Sequence, residues 1–300
     1  MRIDEGLYLD IGGRRQWVAV RGRDRGNPAL MFVGGAGGGF AAIAPFFAPW
    51  EDDFTMVHWD QPGGGFTGGA PVSYAALAVD CAAVAAAVAG RFELAAPVLL
   101  ATSGGTVTGL QAVRARPEAF SAYVATGVVV NRARQEALSY EIVLARARAA
   151  GDAEAVGKLE QIGPPPYPDP MGDLVKSTYA NAPTPSEAAE WTAIMALGPP
   201  TPGAKHAPAG VTPGDPRAAG FAAWQATRDE LYAWDARALG RGFGVPIHVI
   251  QGEEDAHTVT SEVIPWAADV GASLALIPGA GHLSAFLRAP MLRELRKVLA

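Results

Sequence analysis

The stretch from Val98 to Gly109, V-L-L-A-T-S-G-G-T-V-T-G, constrains this chain more than any other. Val98 to Ala101 has the unbroken hydrophobicity of a strand buried on both faces, as in a parallel sheet, and a helix-compatible segment follows Ser103. A serine on so sharp a strand-to-helix turn needs small residues two positions before and after it, so that strand and helix can pass closely. Ala101 and Gly105 occupy those positions, with alanine where glycine is usual. A glycine-containing turn with an incidental serine would look the same, so the decision falls to the rest of the chain.

The rest repeats one rhythm. Leu7 to Asp10 and Gln16 to Arg21 alternate around Gly12-Gly13 and predict a hairpin. Buried strands are expected at Ala29 to Val33, Phe54 to Trp59, Ala122 to Val130, Pro246 to Gln251 and Ser273 to Ile277. Helices are expected at Ala41 to Trp50, Tyr74 to Ala89 behind an N-capping Ser73, Glu262 to Val270 and Ser284 to Leu299. Strands alternating with helices predict an α/β fold with a mostly parallel sheet covered on both faces. More than a hundred residues separate the strands before and after Asn131 to Gly242, far beyond the dozen or so a crossover needs. That stretch carries helical patterns at Ala137 to Ala150, Ala153 to Ile162, Ser186 to Leu197 and Ala218 to Ala238. Two proline-rich runs, beginning at Gly163 and Gly198, read as stiff connectors. Residues 1–130 and 243–300 are therefore expected to form the core, and 131–242 an inserted helical unit.

Composition narrows the class. The 300 residues are 49% hydrophobic and 18% charged, with a net charge of -6; this suits a soluble globular protein. No basic cluster interleaved with aromatics is present, which argues against nucleic acid as a partner. The single cysteine, Cys81, excludes an intrachain disulfide and a cysteine-based zinc site, and its alanine-rich surroundings suggest a small core residue. No run reaches about 18 uninterrupted apolar residues and the N-terminus does not read as a signal peptide, so no membrane partner and a cytoplasmic location are expected.

A serine hydroxyl is a weak nucleophile, and it requires a base that in turn requires an acid to orient it. Doubly wound hydrolases supply these in the order Ser, Asp or Glu, His, on loops at the carboxyl ends of strands. Here Gly252-Glu253-Glu254-Asp255 follows one late strand, and Gly279-Ala280-Gly281-His282 follows the next. Among the histidines, His58 and His248 lie within strands, His206 in the insertion, and His257 only two residues past Asp255; His282 is the expected base. Glu253 and Glu254 are rivals to Asp255, whose place three residues after the glycine suits a turn back toward the histidine. Oxyanion donors are expected at the N–H of Gly104 and of Gly35 in the Gly34 to Gly39 run, with Gly34 the nearest rival to Gly35.

A reading from another class is a nucleotide-dependent oxidoreductase, since Gly37-x-Gly39-x-x-Ala42 fits a relaxed dinucleotide pattern and Asp60 ends the next strand. It leaves Ser103, Asp255 and His282 unexplained. A third is a non-catalytic binding protein on the same fold.

Taken together, the motifs resemble the proline iminopeptidase-like branch of the α/β-hydrolase superfamily. That branch carries H-G-G-P-G-G, where Val33 to Gly38 reads V-G-G-A-G-G, and W-D-Q-R-G-x-G-x-[ST], where Trp59 to Thr67 reads W-D-Q-P-G-G-G-F-T. The resemblance implies an eight-stranded core with a helical cap between strands six and seven, and a serine hydrolase cleaving a small-molecule or short-peptide ester or amide, with no metal or organic cofactor. Val33, Ala36 and Pro62 depart from the family's His, Pro and Arg. The family's amine-binding W-x-x-W-E is missing, with Glu190 and Glu141 only loose candidates for that role. A carboxylesterase for small apolar acyl or aryl esters is therefore the alternative, its pocket lined from Tyr140, Tyr167, Trp191, Trp224 and Trp234.

Overall fold

The computed structural model describes residues 1–197 and 207–299. One sheet organises them: β1 (Ile3–Ile11), β2 (Arg14–Gly22), β3 (Ala29–Val33), β4 (Thr55–Trp59), β5 (Val98–Thr102), β6 (Ala122–Thr126), β7 (Ile247–Gly252) and β8 (Ser273–Ile277) lie in the order β1-β2-β4-β3-β5-β6-β7-β8. β2 runs antiparallel to β1 and β4, and every other pairing is parallel. The chain goes one way from β3, back to β4, and the other way from β5. The crevice between the carboxyl ends of β3 and β5 is thus the switch point where such sheets bind ligands.

Both faces of the sheet are covered, which is why its central strands β3, β4, β5 and β6 are buried at every position and mostly apolar. Successive residues point to opposite faces. Met31 and Val33 of β3 meet α1 (Tyr74–Phe92), where Leu77, Cys81, Val84 and Val88 are buried. Leu30 and Phe32 meet Phe46, Phe47 and Trp50 on the other face, together with Met291 and Leu295 of α9 (Arg288–Val298). The 19 residues of α1 are long and apolar enough to cross a membrane, with a mean hydropathy of 1.6, and half of that stretch is buried inside the protein.

Between β6 and β7 the described residues form α3 (Arg132–Ala149), α4 (Ala153–Ile162), α5 (Met171–Ala180), α6 (Ala188–Leu197) and α7 (Pro216–Tyr232). Side-chain caps begin three of them: Asn131 accepts from Arg134 N–H, Asp152 from Ala155 N–H and Asp215 from Arg217 N–H. The two ends of the segment are tied together, since Asn131 bridges Asp235 and Ala236 N–H donates to Val130 O at 2.7 Å. His206, and the proline-rich run from Gly198 as far as residue 206, lie outside the described residues.

Several elements differ from expectation. β6 stops at Thr126 rather than Val130, because Gly127 takes a φ of +57° that breaks the strand. Residues 127–130 then form a buried loop whose N–H groups go to side chains: Gly127 and Val128 to Gln251, Val129 to Thr106 and Val130 to Gln135. The expected helix after the glycine run is a 3-10 segment, Phe40–Asp52, since Pro45 and Pro49 cannot donate to an α-helical ladder. α5 had no counterpart in the sequence pattern. The last expected helix divides into a 3-10 turn, His282–Phe286, and α9.

Candidate active site

The loops leaving β3, β5, β7 and β8 meet at the carboxyl edge of the sheet. After β5 the backbone turns at Ser103, whose φ of +53° is one of two in the left-handed region among the described non-glycine residues. Left-handed geometry strains an L-residue, and here it is held by a tight frame. Ser103 N–H donates to Thr126 O, and Ser103 O accepts from Thr106 N–H at 2.8 Å and from its hydroxyl at 2.7 Å. Gly105, which opens α2 (Gly105–Ala115), admits no larger residue: a β-carbon there would stand 2.4 Å from Val33 O.

His282 follows β8, and its Nε2 lies 2.9 Å from Ser103 Oγ across 179 residues of sequence. Its Nδ1 lies 2.9 Å from Asp255 Oδ2. Asp255 sits in the turn after β7, 3% exposed, in a cage of donors. Its Oδ1 accepts the N–H of His257 at 2.8 Å and of Thr258 at 2.9 Å; its Oδ2 accepts the Thr258 hydroxyl at 2.7 Å and Gln251 Nε2 at 3.0 Å. Burial would raise the pKa of this carboxyl, but the His282 charge and the hydrogen bonds from His282 and Thr258 outweigh it and hold the group at about 2. Glu253 and Glu254, the rivals to Asp255, are exposed.

Gly104 and Gly35 stand side by side: a β-carbon on Gly104 would meet Gly35 Cα at 3.3 Å and the Tyr74 hydroxyl at 2.6 Å. The Trp59 to Thr67 motif is a clamp on the glycine loop beside them. Gln61 Nε2 donates to Gly34 O at 3.1 Å, and Gln61 N–H to Gly38 O at 2.9 Å. Asp60, 1% exposed, accepts Ala41 N–H on one oxygen and Phe66 N–H on the other, both at 2.8 Å. Its carboxylate joins two loops, which leaves it no path to the ribose that the oxidoreductase reading required.

A cavity of about 520 Å³ opens onto Ser103 and His282. Of the five insertion aromatics considered from sequence, Trp191 borders it. The others are engaged elsewhere: Tyr140 bonds Leu159 O, Tyr167 bonds Glu136, Trp224 bonds Asp173 and Trp234 bonds Val129 O. Glu190 pairs with Arg288 at 2.7 Å, and Glu141 is exposed on α3.

Two features escaped the sequence reading. His257 packs against His282 with ring centroids 4.6 Å apart, and its Nε2 lies 3.2 Å from Arg132 Nη1. Burial, then the Lys176 and Arg132 charges, lower its pKa well below the ordinary value, so it stays neutral. Its place in the same turn as Asp255 was the available signal. Glu187, 1% exposed, accepts Gly281 N–H at 2.8 Å and Thr184 N–H at 3.0 Å, tying the inserted segment to the turn that carries His282.

The structure superposes along nearly its whole length on a proline iminopeptidase-related protein from Thermus thermophilus, with a TM-score of 0.67, 22% identity, and 98% of this chain and 96% of that one covered. An enol-lactonase from Burkholderia xenovorans gives a TM-score of 0.65 at 17% identity, covering 97% and 99%. The fold is that of the α/β-hydrolases. A thermophilic esterase from Thermogutta terrifontis is also similar, with a TM-score of 0.62 at 17% identity, covering 98% of each chain. Among curated proteins, the chain is 26% identical over 176 residues to a probable aminopeptidase, YbaC, of Bacillus subtilis (strain 168). That match takes in 56% of this chain and spans about half (55%) of the relative's length. No family model matches.

Proposed function

We propose that this α/β-hydrolase-fold chain is a serine hydrolase that cleaves a carboxylic ester or amide of a small molecule or short peptide through an acyl-enzyme. The observation that carries the reading is the pair of 2.9 Å contacts made by the two nitrogens of His282, one to Ser103 Oγ and one to Asp255 Oδ2. With the ring proton on Nδ1 facing Asp255, Nε2 is free to accept. Ser103 Oγ then attacks the carbonyl carbon while His282 Nε2 takes its proton. The N–H groups of Gly35 and Gly104 hold the oxyanion, and the buried Asp255 carboxylate stabilises the imidazolium. Collapse of the tetrahedral adduct expels the alcohol or amine, which leaves with the proton from His282. Water repeats the sequence on the acyl-enzyme and restores Ser103. Residues 131–242 act as the cap over this site. The similarity to a probable aminopeptidase and to an esterase supports a hydrolase of this kind.

The test is covalent labelling. A fluorophosphonate should modify the wild-type protein at Ser103 and leave Ser103→Ala untouched, and p-nitrophenyl butyrate should be turned over by the first alone. Equal labelling of the two proteins would end the proposal.

A further inference from the structure

The cavity at Ser103 is built from side chains of unusual chemical uniformity. Phe40 and Ile43 come from the 3-10 segment after the glycine loop, Trp191 and Ile194 from α6, and Leu283 and Phe286 from the turn that begins with His282. Its aromatic walls are buttressed from behind. Phe40 packs on Phe32 at 5.3 Å between ring centroids, and Phe286 packs on Phe32, Phe46 and Phe47 at 6.2 to 6.4 Å. Trp191 faces Phe286 at 6.2 Å. Walls locked in this way form a preorganised slot rather than a yielding surface.

Three carboxylates of the elements around this slot, among the described residues, are already committed. Glu187 accepts N–H groups on both oxygens and is 1% exposed. Glu190 is held by both Nε and Nη2 of Arg288, at 3.0 and 2.7 Å. Asp255 lies behind His282 in its own cage of donors. Apart from the groups of Ser103, Thr102 and His282, the polar side chains on the described lining are Asn181, whose Oδ1 is buried, and Trp191 through its indole N–H; neither carries a charge. A neutral amide cannot neutralise a charge. An ammonium or carboxylate held against these walls would give up part of its hydration and find no ionic partner on the lining among the described residues.

We infer that, if Ser103 is the nucleophile as proposed above, this cavity receives an uncharged, ring-bearing acyl group, and that substrates carrying a free amine beside the scissile carbonyl are selected against. The substrate class is then a neutral aryl-alkanoyl or aroyl ester or amide.

A matched pair of substrates tests this. The p-nitrophenyl ester of 3-phenylpropionate and that of phenylalanine differ only by an ammonium group on the carbon next to the carbonyl. With rates normalised to hydroxide-catalysed hydrolysis, kcat/KM for the neutral ester should exceed that for the amine by about 100-fold or more, as for groups left unpaired in an apolar site. Ile194→Glu, which places a carboxylate on the wall, should close that gap by about tenfold or more, and Trp191→Ala should lower kcat/KM for the neutral ester by at least about tenfold. Fluorophosphonate labelling of the same preparations separates the two readings. Full labelling with equal or better use of the amine ester, or with a ratio unmoved by Ile194→Glu, overturns the substrate class and leaves the hydrolase intact. Absence of both labelling and turnover removes both.

Discussion

Gly127 lies directly beneath the imidazole of His282: a β-carbon at that position would stand 3.0 Å from Cε1 and 3.3 Å from Nδ1. The residue also carries a φ of +57°, so glycine is required there by backbone and by space. Gly127→Ala should cost about 1 kcal/mol from left-handed strain and tilt the ring away from Ser103. A catalytic loss of about 100-fold is expected from a displacement of this size. Comparing urea unfolding with kcat/KM on p-nitrophenyl esters checks both; unchanged kcat/KM would show that the ring does not depend on the space at 127.

Ser103 supplies a second prediction, because its strain and its chemistry separate. Ser103→Gly relieves the positive φ and should raise stability by up to about 1 kcal/mol, or about 2 °C in Tm. The same change should lower turnover by several orders of magnitude. A thermal melt alongside an esterase assay reads both. A less stable variant would mean that the turn is not strained.

Asp255 ties stability to pH. Its carboxyl is held at about 2 against an ordinary 3.8, so between those values the native protein binds fewer protons than the unfolded chain. The resulting contribution, on the order of 2 kcal/mol, is complete above pH 4 and lost as pH falls toward 2. Asp255→Asn lacks this dependence, so the difference in unfolding free energy between wild type and variant should shrink from pH 5 to pH 3. Its kcat should drop by about 10⁴, as when an orienting acid is neutralised. A pH-independent stability difference would contradict the assignment of the shift.

Asp60 holds two loops at once. Asp60→Ala would orphan the N–H groups of Ala41 and Phe66, at a cost of about 2 to 4 kcal/mol. With the glycine loop loosened, kcat should fall more than KM rises. Urea titration and steady-state kinetics test this, and an unaltered kcat would separate the clamp from the reaction.

The core was legible in sequence because its central strands are covered on both faces, which makes β3 wholly apolar and β4, β5 and β6 fully buried and mostly apolar, with Thr55, His58, Thr102 and Thr126 the exceptions. Ser103, Asp255 and His282, which the structure brings within hydrogen-bond distance of one another, stood out by their order and by their place just past the ends of β5, β7 and β8. What stayed hidden has physical causes. The valines at 128–130 look like strand by composition, and only the conformation of Gly127 reveals the loop. α5 lacks an apolar stripe because its inward face carries Asp173 and Lys176, paired with Arg132 and Glu136 of α3; a helix that buries ions cannot be found by hydrophobic periodicity. His257 has no motif of its own, and its neighbour His282 arrives from a different strand.

The tie between Asn131 and Asp235, reinforced by Ala236 N–H on Val130 O, has a consequence for how such a chain can diversify. A polypeptide that departs from a scaffold and returns to it through one knot transmits little tension to either neighbouring strand. What is looped out beyond the knot also reaches the scaffold through Glu187 on Gly281 N–H and Arg132 on His257, so an insertion lengthened, trimmed or exchanged leaves the spacing of Ser103, Asp255 and His282 intact only where those two contacts are kept.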